Sequence, residues 1–140
     1  KTLTATMTQF GGFCLLVSGG FTYFTSRVAE TAGFKAHKGN VLIDDGMALT
    51  GEVGRPILGR EAKLDALDDC AFANGWNRHD ALAMGDGAND LAMIEAAGLG
   101  LAVHAKPIVA SAADAAINVT ELTAALYFQG YTDSEIVWRD

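Results

Sequence analysis

Short apolar runs alternate along the chain with longer stretches in which apolar residues recur at helical spacing. Four runs bounded by Gly, Asp or Asn are typical of strands buried on both faces: FCLLVSGG, ALAMGDG, GLGLAV and AAINV. Helical spacing predicts helices in TYFTSRVAETAG, GREAKLDALDDCAFANG, NDLAMIEAAG and KPIVASAAD. Strands that alternate with helices pair in parallel through right-handed crossovers. The pattern therefore predicts an α/β fold, with a doubly wound, mostly parallel, Rossmann-like sheet that carries helices on both faces.

One segment departs from this alternation. In NVLIDDGMALTGEV, two short β-prone runs flank Asp45-Gly46, a pair that favours a tight turn between antiparallel strands. We therefore expect a small β-hairpin here. No repeat, low-complexity tract or linker interrupts the chain, so residues 1–140 are expected to form a single domain.

Composition and charge narrow the classes of function. Half of the 140 residues are hydrophobic, which is enough for a packed core. The formal net charge of -7 argues against a nucleic acid or an anionic membrane as the partner, because both attract clustered Lys and Arg. The most apolar segment, FGGFCLLVSGGF, is interrupted by glycines and is shorter than the ~20 residues of a membrane span. No signal peptide is visible.

Cysteines and histidines offer no metal site by their spacing. Cys14 and Cys70 lack the spacing of metal ligands, and Cys14 lies in an apolar run where a small thiol packs well. We expect both thiols to be buried and reduced, in a cytoplasmic protein. The three histidines are scattered and are expected to be surface or loop residues: His37, His79 and His104.

The chain offers an anion site at the end of its first predicted strand. In LLVSGGFT, Ser18 ends the strand, and Gly19 and Gly20 lead into the next helix. Glycines let backbone N–H groups approach an anion, the helix N-terminus adds partial positive charge, and the Ser18 hydroxyl can donate a hydrogen bond. The segment therefore predicts a small cradle for a phosphate or another oxyanion. A plain helix N-cap is the alternative.

A second strand end gathers acidic side chains, in GDGANDLAMI. Asp86 directly follows ALAM, so its carboxylate is expected in the same crevice as Ser18, and Asp90 lies one helical turn further on. Two carboxylates so placed are costly unless a cation or hydrogen bonds share their charge, and Mg²⁺ is the natural hard cation. Asn89 can orient a phosphate oxygen or a neighbouring ligand. The alternative is that Asp86 and Asn89 form a turn and Asp90 favours the helix N-terminus.

The third candidate is Lys63, for which a solvated position on a helix face is the default. The order of Ser18-Gly19-Gly20, then Lys63, then GDGAND resembles the second, third and fourth motifs of the haloacid-dehalogenase-like (HAD) phosphohydrolases. Within that family, the chain is most similar to the phosphoserine phosphatases, in LLVSGGFT, DDGMALTGEV, EAK, GDGANDLAMI, AKPIVASAADAAI and LTAALYFQGY. The likeness covers nearly the whole chain and raises Lys63 to a site residue.

The resemblance implies a HAD core fold and a Mg²⁺-dependent enzyme. Its substrate would be a small phosphomonoester, O-phospho-L-serine, hydrolysed to L-serine and phosphate through an aspartyl-phosphate, as the last step of serine biosynthesis. Phosphoryl transfer needs positioning and neutralisation of the equatorial oxygens, which suits these residue types. The implied site residues are, by role, phosphate- and substrate-binding Ser18, Gly19, Gly20, Lys63 and Asn89, catalytic Lys63, and metal-binding Asp86 with Asp90 in support.

The chain departs from the family at the nucleophile. In the family this residue is the first Asp of an Asp-x-Asp motif at the end of the central strand, and no such motif occurs here. The helical cap that selects the substrate would also precede Lys1. The chain therefore resembles the carboxyl-terminal part of a larger enzyme. We expect it to be inactive alone, with the amino-terminal segment of the same enzyme as its partner.

Two other functions stay open at this point. A HAD phosphatase for another small phosphomonoester is compatible with the sequence, because the cap is unseen. A catalytically inactive module that holds a phosphate group at Ser18 is the second alternative. The sequence is also compatible with a homodimer.

Overall fold

The computed structural model describes residues 1–140, the whole sequence. The chain divides into two compact units. Unit one comprises Lys1–Gly59 and Val137–Asp140, and unit two comprises Arg60–Ile136. The strands form three sheets, of which two are parallel and one is an antiparallel hairpin. This arrangement confirms the α/β fold class with parallel sheets and helices.

Unit one contains two helices and four strands. In chain order they are α1 (Thr2–Gln9), β1 (Leu15–Phe21), α2 (Thr22–Ala32), β2 (Ala36–Asn40), β3 (Leu42–Asp44) and β4 (Leu49–Val53). β1 and β2 pair in parallel, joined by α2. The residue after α2 is Gly33, with φ of 79°. Glycine takes this left-handed conformation without a steric cost, so Gly33 sets the end of the helix.

β3 and β4 form the antiparallel hairpin that the sequence predicts. The Asp45 carboxylate closes the turn by accepting the N–H of Ala48 at 2.8 Å and the N–H of Met47 at 2.9 Å. These hydrogen bonds lower the pKa of the exposed Asp45 carboxyl below its usual value, because they stabilise its charged form. The turn is therefore closed by a side chain from within it.

Threonines of α1 attach the last residues of the chain to unit one. Thr6 Oγ1 accepts the Val137 N–H at 2.9 Å. Thr2 Oγ1 donates to the Arg139 carbonyl and accepts the Arg139 N–H, each at 3.0 Å. Both threonines are buried, so their hydroxyl groups need partners within the protein, and these hydrogen bonds supply them. The first and last residues of the chain consequently lie side by side.

Unit two contains three strands and four helices. In chain order the elements are α3 (Arg60–Ala73), β5 (Leu82–Gly85), α4 (Leu91–Ala96), β6 (Leu99–Val103), α5 (Pro107–Ala112), β7 (Ala115–Ile117) and α6 (Ala124–Phe128). The strands form a parallel sheet in the order β5-β6-β7, and single 3-10 turns precede β5 and α4. Pro107 occupies the start of α5, where its missing N–H costs no hydrogen bond.

The buried apolar side chains lie almost wholly in unit two. Ile94, Ala102 and Val109 form a buried cluster contributed by α4, β6 and α5. In unit one, Ala29 is the only apolar residue that is buried. Unit two therefore has a hydrophobic core, whereas unit one buries a single apolar side chain.

The predicted strands and helices are present, with differences in two respects. Strand β2 was not predicted, because its sequence AHKGN has neither an apolar run nor alternation, and helix α6 was not predicted either. β6 is buried at its central residues as expected, whereas β1, β5 and β7 are mostly half-buried, so the expectation of strands buried on both faces is wrong for these three. Cys14 and Cys70 are likewise half-buried, not buried as predicted. No helix has the length and apolar character that a membrane crossing requires.

Candidate functional site

The end of β1 leaves the sheet register at the predicted anion cradle. β1 and β2 pair in register up to Val17 and pair again at Phe21, with three residues of β1 opposite Gly39 of β2. Extra residues in one strand bulge out and lose their ladder partners. The Gly20 N–H is satisfied within the bulge, because it donates to Ser18 Oγ at 3.0 Å. The bulged residues are Ser18, Gly19 and Gly20.

Ser18 does not cap a helix, so that alternative is wrong. α2 begins at Thr22, its N-cap residue is Phe21, and no side chain accepts a capping hydrogen bond there. Since the Ser18 oxygen accepts the Gly20 N–H, its hydroxyl hydrogen can be donated to a ligand. Gly19 and Gly20 are exposed and Ser18 is half-buried. This geometry suits an anion cradle.

Asn40 contacts the bulge and was missed by the sequence interpretation. It is the last residue of β2, with 7% of its surface exposed. Its Nδ2 donates to the Gly19 carbonyl at 2.8 Å, and its Oδ1 accepts the Leu58 N–H at 2.7 Å. An Asn beside Gly39 is typical of a turn, so the local sequence carries no sign of these contacts.

Asp90 organises the turn after β5. Its side chain is buried, with 4% of the residue exposed. Oδ2 accepts the N–H groups of Asp86 and Gly87, both at 3.1 Å, and Oδ1 pairs with the Lys63 ammonium. A buried carboxylate needs such partners, because burial removes the water that would share its charge. Asp90 thus closes the turn and connects it to α3.

Lys63 is buried, so the solvated-lysine alternative is wrong. It lies in the first turn of α3, with 7% of its surface exposed. Its ammonium contacts Asp90 Oδ1, and each charge compensates for the water that the other has lost. The contact with Asp90 fixes the Lys63 ammonium beside the turn that contains Asp86.

Gly85 is required by close packing beside this turn. A Cβ atom on Gly85 would lie 2.4 Å from Cβ of the buried Asp90, far below a normal contact, so a side chain there would force Asp90 to move. A Cβ atom on Gly87 would lie 2.5 Å from Asn89 Oδ1, the end of an exposed side chain that can move away. The turn therefore depends on glycine at position 85, where the Asp90 side chain approaches the backbone closely.

Asp86 and Asn89 are exposed on the same turn. Asp86 contributes its backbone N–H to the turn, and its carboxylate remains at the surface. Because both oxygens of Asp90 already accept hydrogen bonds, Asp86 carries the carboxylate better placed to bind a ligand. The 140 residues contain no group of three or more His, Cys, Asp or Glu side chains that could hold a metal ion.

The predicted site residues divide between the two units. Ser18 belongs to unit one, together with the two glycines that follow it, whereas the other four belong to unit two. In unit two, hydrogen bonds join the Lys63 and Asp86 positions through Asp90. The expectation that Ser18 and Asp86 face one crevice stays a prediction.

The loop after β6 is an additional feature that the sequence did not indicate. His104 is exposed, as expected. Its φ of 45° lies in the left-handed region, which residues other than glycine rarely occupy. Its N–H donates to the Ile117 carbonyl at 2.8 Å, and its Nδ1 lies 3.1 Å from the Asn118 carbonyl oxygen. Lys106 N–H donates to the Asp86 carbonyl at 3.4 Å. This loop therefore contacts the turn that contains Asp86.

Comparison with known proteins places the chain in a family. The family model of the haloacid dehalogenase-like hydrolases matches residues 3–95. The phosphoserine phosphatase of Streptomyces coelicolor is 43% identical over 141 residues, which cover 100% of this chain and 34% of that protein. The chain spans between about a third and a half of the length of the curated relatives it matches.

Solved structures agree with this match. The unliganded probable phosphoserine phosphatase from Vibrio cholerae has a TM-score of 0.85 at 38% identity, covering 89% of this chain and 38% of that one. A phospho-aspartyl intermediate analogue of phosphoserine phosphatase has a TM-score of 0.82 at 35% identity, covering 90% and 60% of the two chains. With more than half of its residues matched by the family model, this chain belongs to the haloacid dehalogenase-like hydrolases.

Proposed function

We propose that this chain is part of a phosphoserine phosphatase, which hydrolyses O-phospho-L-serine to L-serine and phosphate, the last step of serine biosynthesis. One observation carries the proposal: the buried Lys63–Asp90 pair closes the turn after β5 while the Asp86 carboxylate stays exposed. Phosphoryl transfer uses fixed positive charge and a carboxylate that binds a cation. The likeness of the whole chain to phosphoserine phosphatases supports the choice of substrate.

The phosphoryl group would be bound by neutral and cationic donors. Ser18 would donate its hydroxyl hydrogen to a phosphoryl oxygen, and the exposed backbone of Gly19 and Gly20 would let the ester approach closely. Lys63 would neutralise charge on the phosphate and on the nucleophile. Asn89 would orient a phosphate oxygen.

The donors of the turn after β5 fit Mg²⁺. In phosphoryl-transfer sites this ion is bound by one or two carboxylates together with substrate oxygens and water. Asp86 would be the direct ligand, and Asp90 would support it by holding the Asp86 N–H. The remaining ligands would come from the substrate, water and residues outside this chain. Bound Mg²⁺ would neutralise charge on the phosphoryl oxygens.

The nucleophile would lie in an amino-terminal segment, since no Asp-x-Asp motif occurs in the 140 residues. A carboxylate oxygen of that aspartate would attack phosphorus, the bond from phosphorus to the serine oxygen would break, and that oxygen would take up a proton. Water would then hydrolyse the aspartyl-phosphate and release phosphate. The likeness to a phospho-aspartyl intermediate analogue of phosphoserine phosphatase supports this route.

The test compares the isolated 140-residue chain with the complete protein that contains it. The complete protein is expected to release serine and phosphate from O-phospho-L-serine only when Mg²⁺ is present. The isolated chain is expected to release neither above background, because it carries no nucleophile. Adding the amino-terminal segment as a separate polypeptide is expected to restore activity. Turnover by the isolated chain at an enzymatic rate would contradict this assignment of the nucleophile.

Substrate comparison separates the alternatives. We expect the complete protein to prefer O-phospho-L-serine to O-phospho-L-threonine and glycerol 3-phosphate, as measured by kcat/KM. Equal hydrolysis of all three would indicate a phosphatase of broader specificity. Phosphate binding without any hydrolysis would indicate an inactive binding module.

A further inference from the structure

We propose that Asn40 is a positioning residue, which fixes the Ser18 hydroxyl through the Gly19–Gly20 peptide group. The inference rests on the proposed function, because it assigns a role within the same phosphate cradle. Three observations carry it: the bulge in β1, the two hydrogen bonds of the buried Asn40 amide, and the hydrogen bond from Gly20 to Ser18.

The bulge needs support from outside the sheet ladder. β1 and β2 pair again only at Phe21, so the strand pairing does not determine the conformation of residues 18–20. The Gly19 carbonyl is held by Asn40 Nδ2 at 2.8 Å, and the Gly20 N–H is held by Ser18 Oγ at 3.0 Å. The two hydrogen bonds thus act on opposite ends of one peptide group.

The geometry of that peptide group links Asn40 to Ser18. The Gly19–Gly20 bond is trans, and the C=O and N–H of a trans peptide point in opposite directions. When Asn40 draws the Gly19 carbonyl towards itself, the Gly20 N–H must point away, which is where it meets Ser18 Oγ. This hydrogen bond occupies an acceptor position of the hydroxyl and directs its hydrogen towards a ligand.

Both ends of the Asn40 amide are committed. The Leu58 N–H requires an acceptor, and the Gly19 carbonyl requires a donor, so the amide fits in one orientation. Because Asn40 is 7% exposed, water does not readily replace either contact. Asn40→Asp would keep the acceptor for Leu58 and lose the donor to Gly19.

The neighbouring Gly39 leaves room for the bulge. A Cβ atom on Gly39 would lie 3.0 Å from the Gly20 carbonyl oxygen and 3.1 Å from Thr25 Oγ1. These contacts are tighter than ordinary van der Waals packing. The pair Gly39-Asn40 therefore brings β2 close to the bulge and supplies the side chain that holds it.

The test is a double-mutant cycle in the complete enzyme with Asn40→Asp, Ser18→Ala and the double variant. Asn40→Asp is expected to lower kcat for O-phospho-L-serine about tenfold to hundredfold, since small misplacements of a binding group have effects of this size. In the Ser18→Ala background, the same substitution is expected to lower kcat less than about threefold, because the group it positions is gone. Equal effects in both backgrounds would overturn the proposal.

Asn40→Ala is the second variant, because it introduces no charge beside the phosphate. It is expected to show the same dependence on Ser18. Asn74→Ala is the matched control, since the Asn74 amide donates to the Cys70 carbonyl at 2.8 Å at the end of α3. We expect Asn74→Ala to leave kcat unchanged. A loss of kcat as large as that of the Asn40 variants would show a general stability effect and overturn the proposal.

Inorganic phosphate provides a readout without hydrolysis. Calorimetric titration of the complete protein with phosphate is expected to show about tenfold weaker binding for Asn40→Ala, and no further weakening when Ser18→Ala is already present. If the wild-type protein binds phosphate but does not hydrolyse phosphoserine, the proposed function fails while this comparison still tests Asn40. Unchanged phosphate affinity in a folded Asn40→Ala protein would overturn the inference.

Discussion

The two strand ends that carry the site residues are stabilised in different ways. After β5, Asp90 accepts N–H groups from three and four residues earlier in the chain, so the turn is closed locally. After β1, the bulge is held by Asn40, which lies 21 positions beyond Gly19 on the next strand. A turn closed by its own residues has a recognisable local sequence, whereas a bulge held from another strand does not.

The two units also differ in how much apolar surface they bury. Unit two buries Ile94, Leu101 and Val109 to 1% exposure or less, whereas Ala29 is the only buried apolar residue of unit one. Burial of apolar surface is the main favourable term in folding. We therefore expect the hydrophobic core of unit two to hold the turn after β5 rigidly. Strand β1 of unit one is only half-buried, and in the proposed enzyme the amino-terminal segment would cover it.

The largest expected effect is that of Asp90→Ala. It removes the acceptor for the Asp86 and Gly87 N–H groups and leaves the buried Lys63 charge without its partner. Loss of one partner of a buried pair typically lowers the free energy of unfolding by about 3–5 kcal/mol. Urea unfolding of the complete protein measures this change. A loss below about 1 kcal/mol would mean that the turn is not closed by Asp90.

Asp86→Asn is expected to separate activity from stability. The Asn retains the backbone N–H that Asp90 accepts, and the replaced carboxylate is exposed, so the free energy of unfolding should change by less than about 0.5 kcal/mol. Turnover should fall about a hundredfold or more if this carboxylate binds the metal. Mg²⁺ titration of the phosphatase activity measures the effect. Near-native activity at ordinary Mg²⁺ would remove Asp86 from the metal site.

Glycine substitutions compare the two strand ends directly. A Cβ atom on Gly85 would lie 2.4 Å from Asp90 Cβ, whereas one on Gly19 would meet only the Leu58 carbonyl oxygen, at 3.7 Å. Gly85→Ala should therefore lower the free energy of unfolding by about 1–3 kcal/mol, and Gly19→Ala by less than about 0.5 kcal/mol. Chemical unfolding of both variants provides the comparison. Equal losses would show that the two backbones are equally crowded.

The smallest expected effect concerns the hairpin turn, which is also closed by a carboxylate but is exposed. Because the pKa of Asp45 is lowered in the folded protein, its stabilisation is present above the unfolded pKa and is lost as pH falls through the folded pKa. NMR shifts of the Ala48 and Met47 amides should report this change on acidification. Asp45→Asn should abolish the pH dependence, and its persistence would assign the titration to another group.

Several local features were predictable because short sequence stretches encode them. Helical spacing followed by glycine identified α2 and α3, and Asp45-Gly46 identified the hairpin. Strand β2 was not predictable, because its polar sequence becomes a strand only by pairing with β1. Tertiary context commonly overrides local β-propensity in this way. The half-burial of β1 likewise depends on what packs against it.

The sequence by itself determined the alternation of strands and helices, the hairpin and the identity of the candidate residues, because periodicity and short motifs are local properties. The tertiary structure alone decided how deeply those residues are buried and which partners they contact. Lys63 became a buried partner of Asp90, although its local sequence suits a solvated helix face. Asn40 acquired its contacts with Gly19 and Leu58 only when distant segments met. Hydrogen bonds between such segments depend on three-dimensional proximity, which no local pattern encodes.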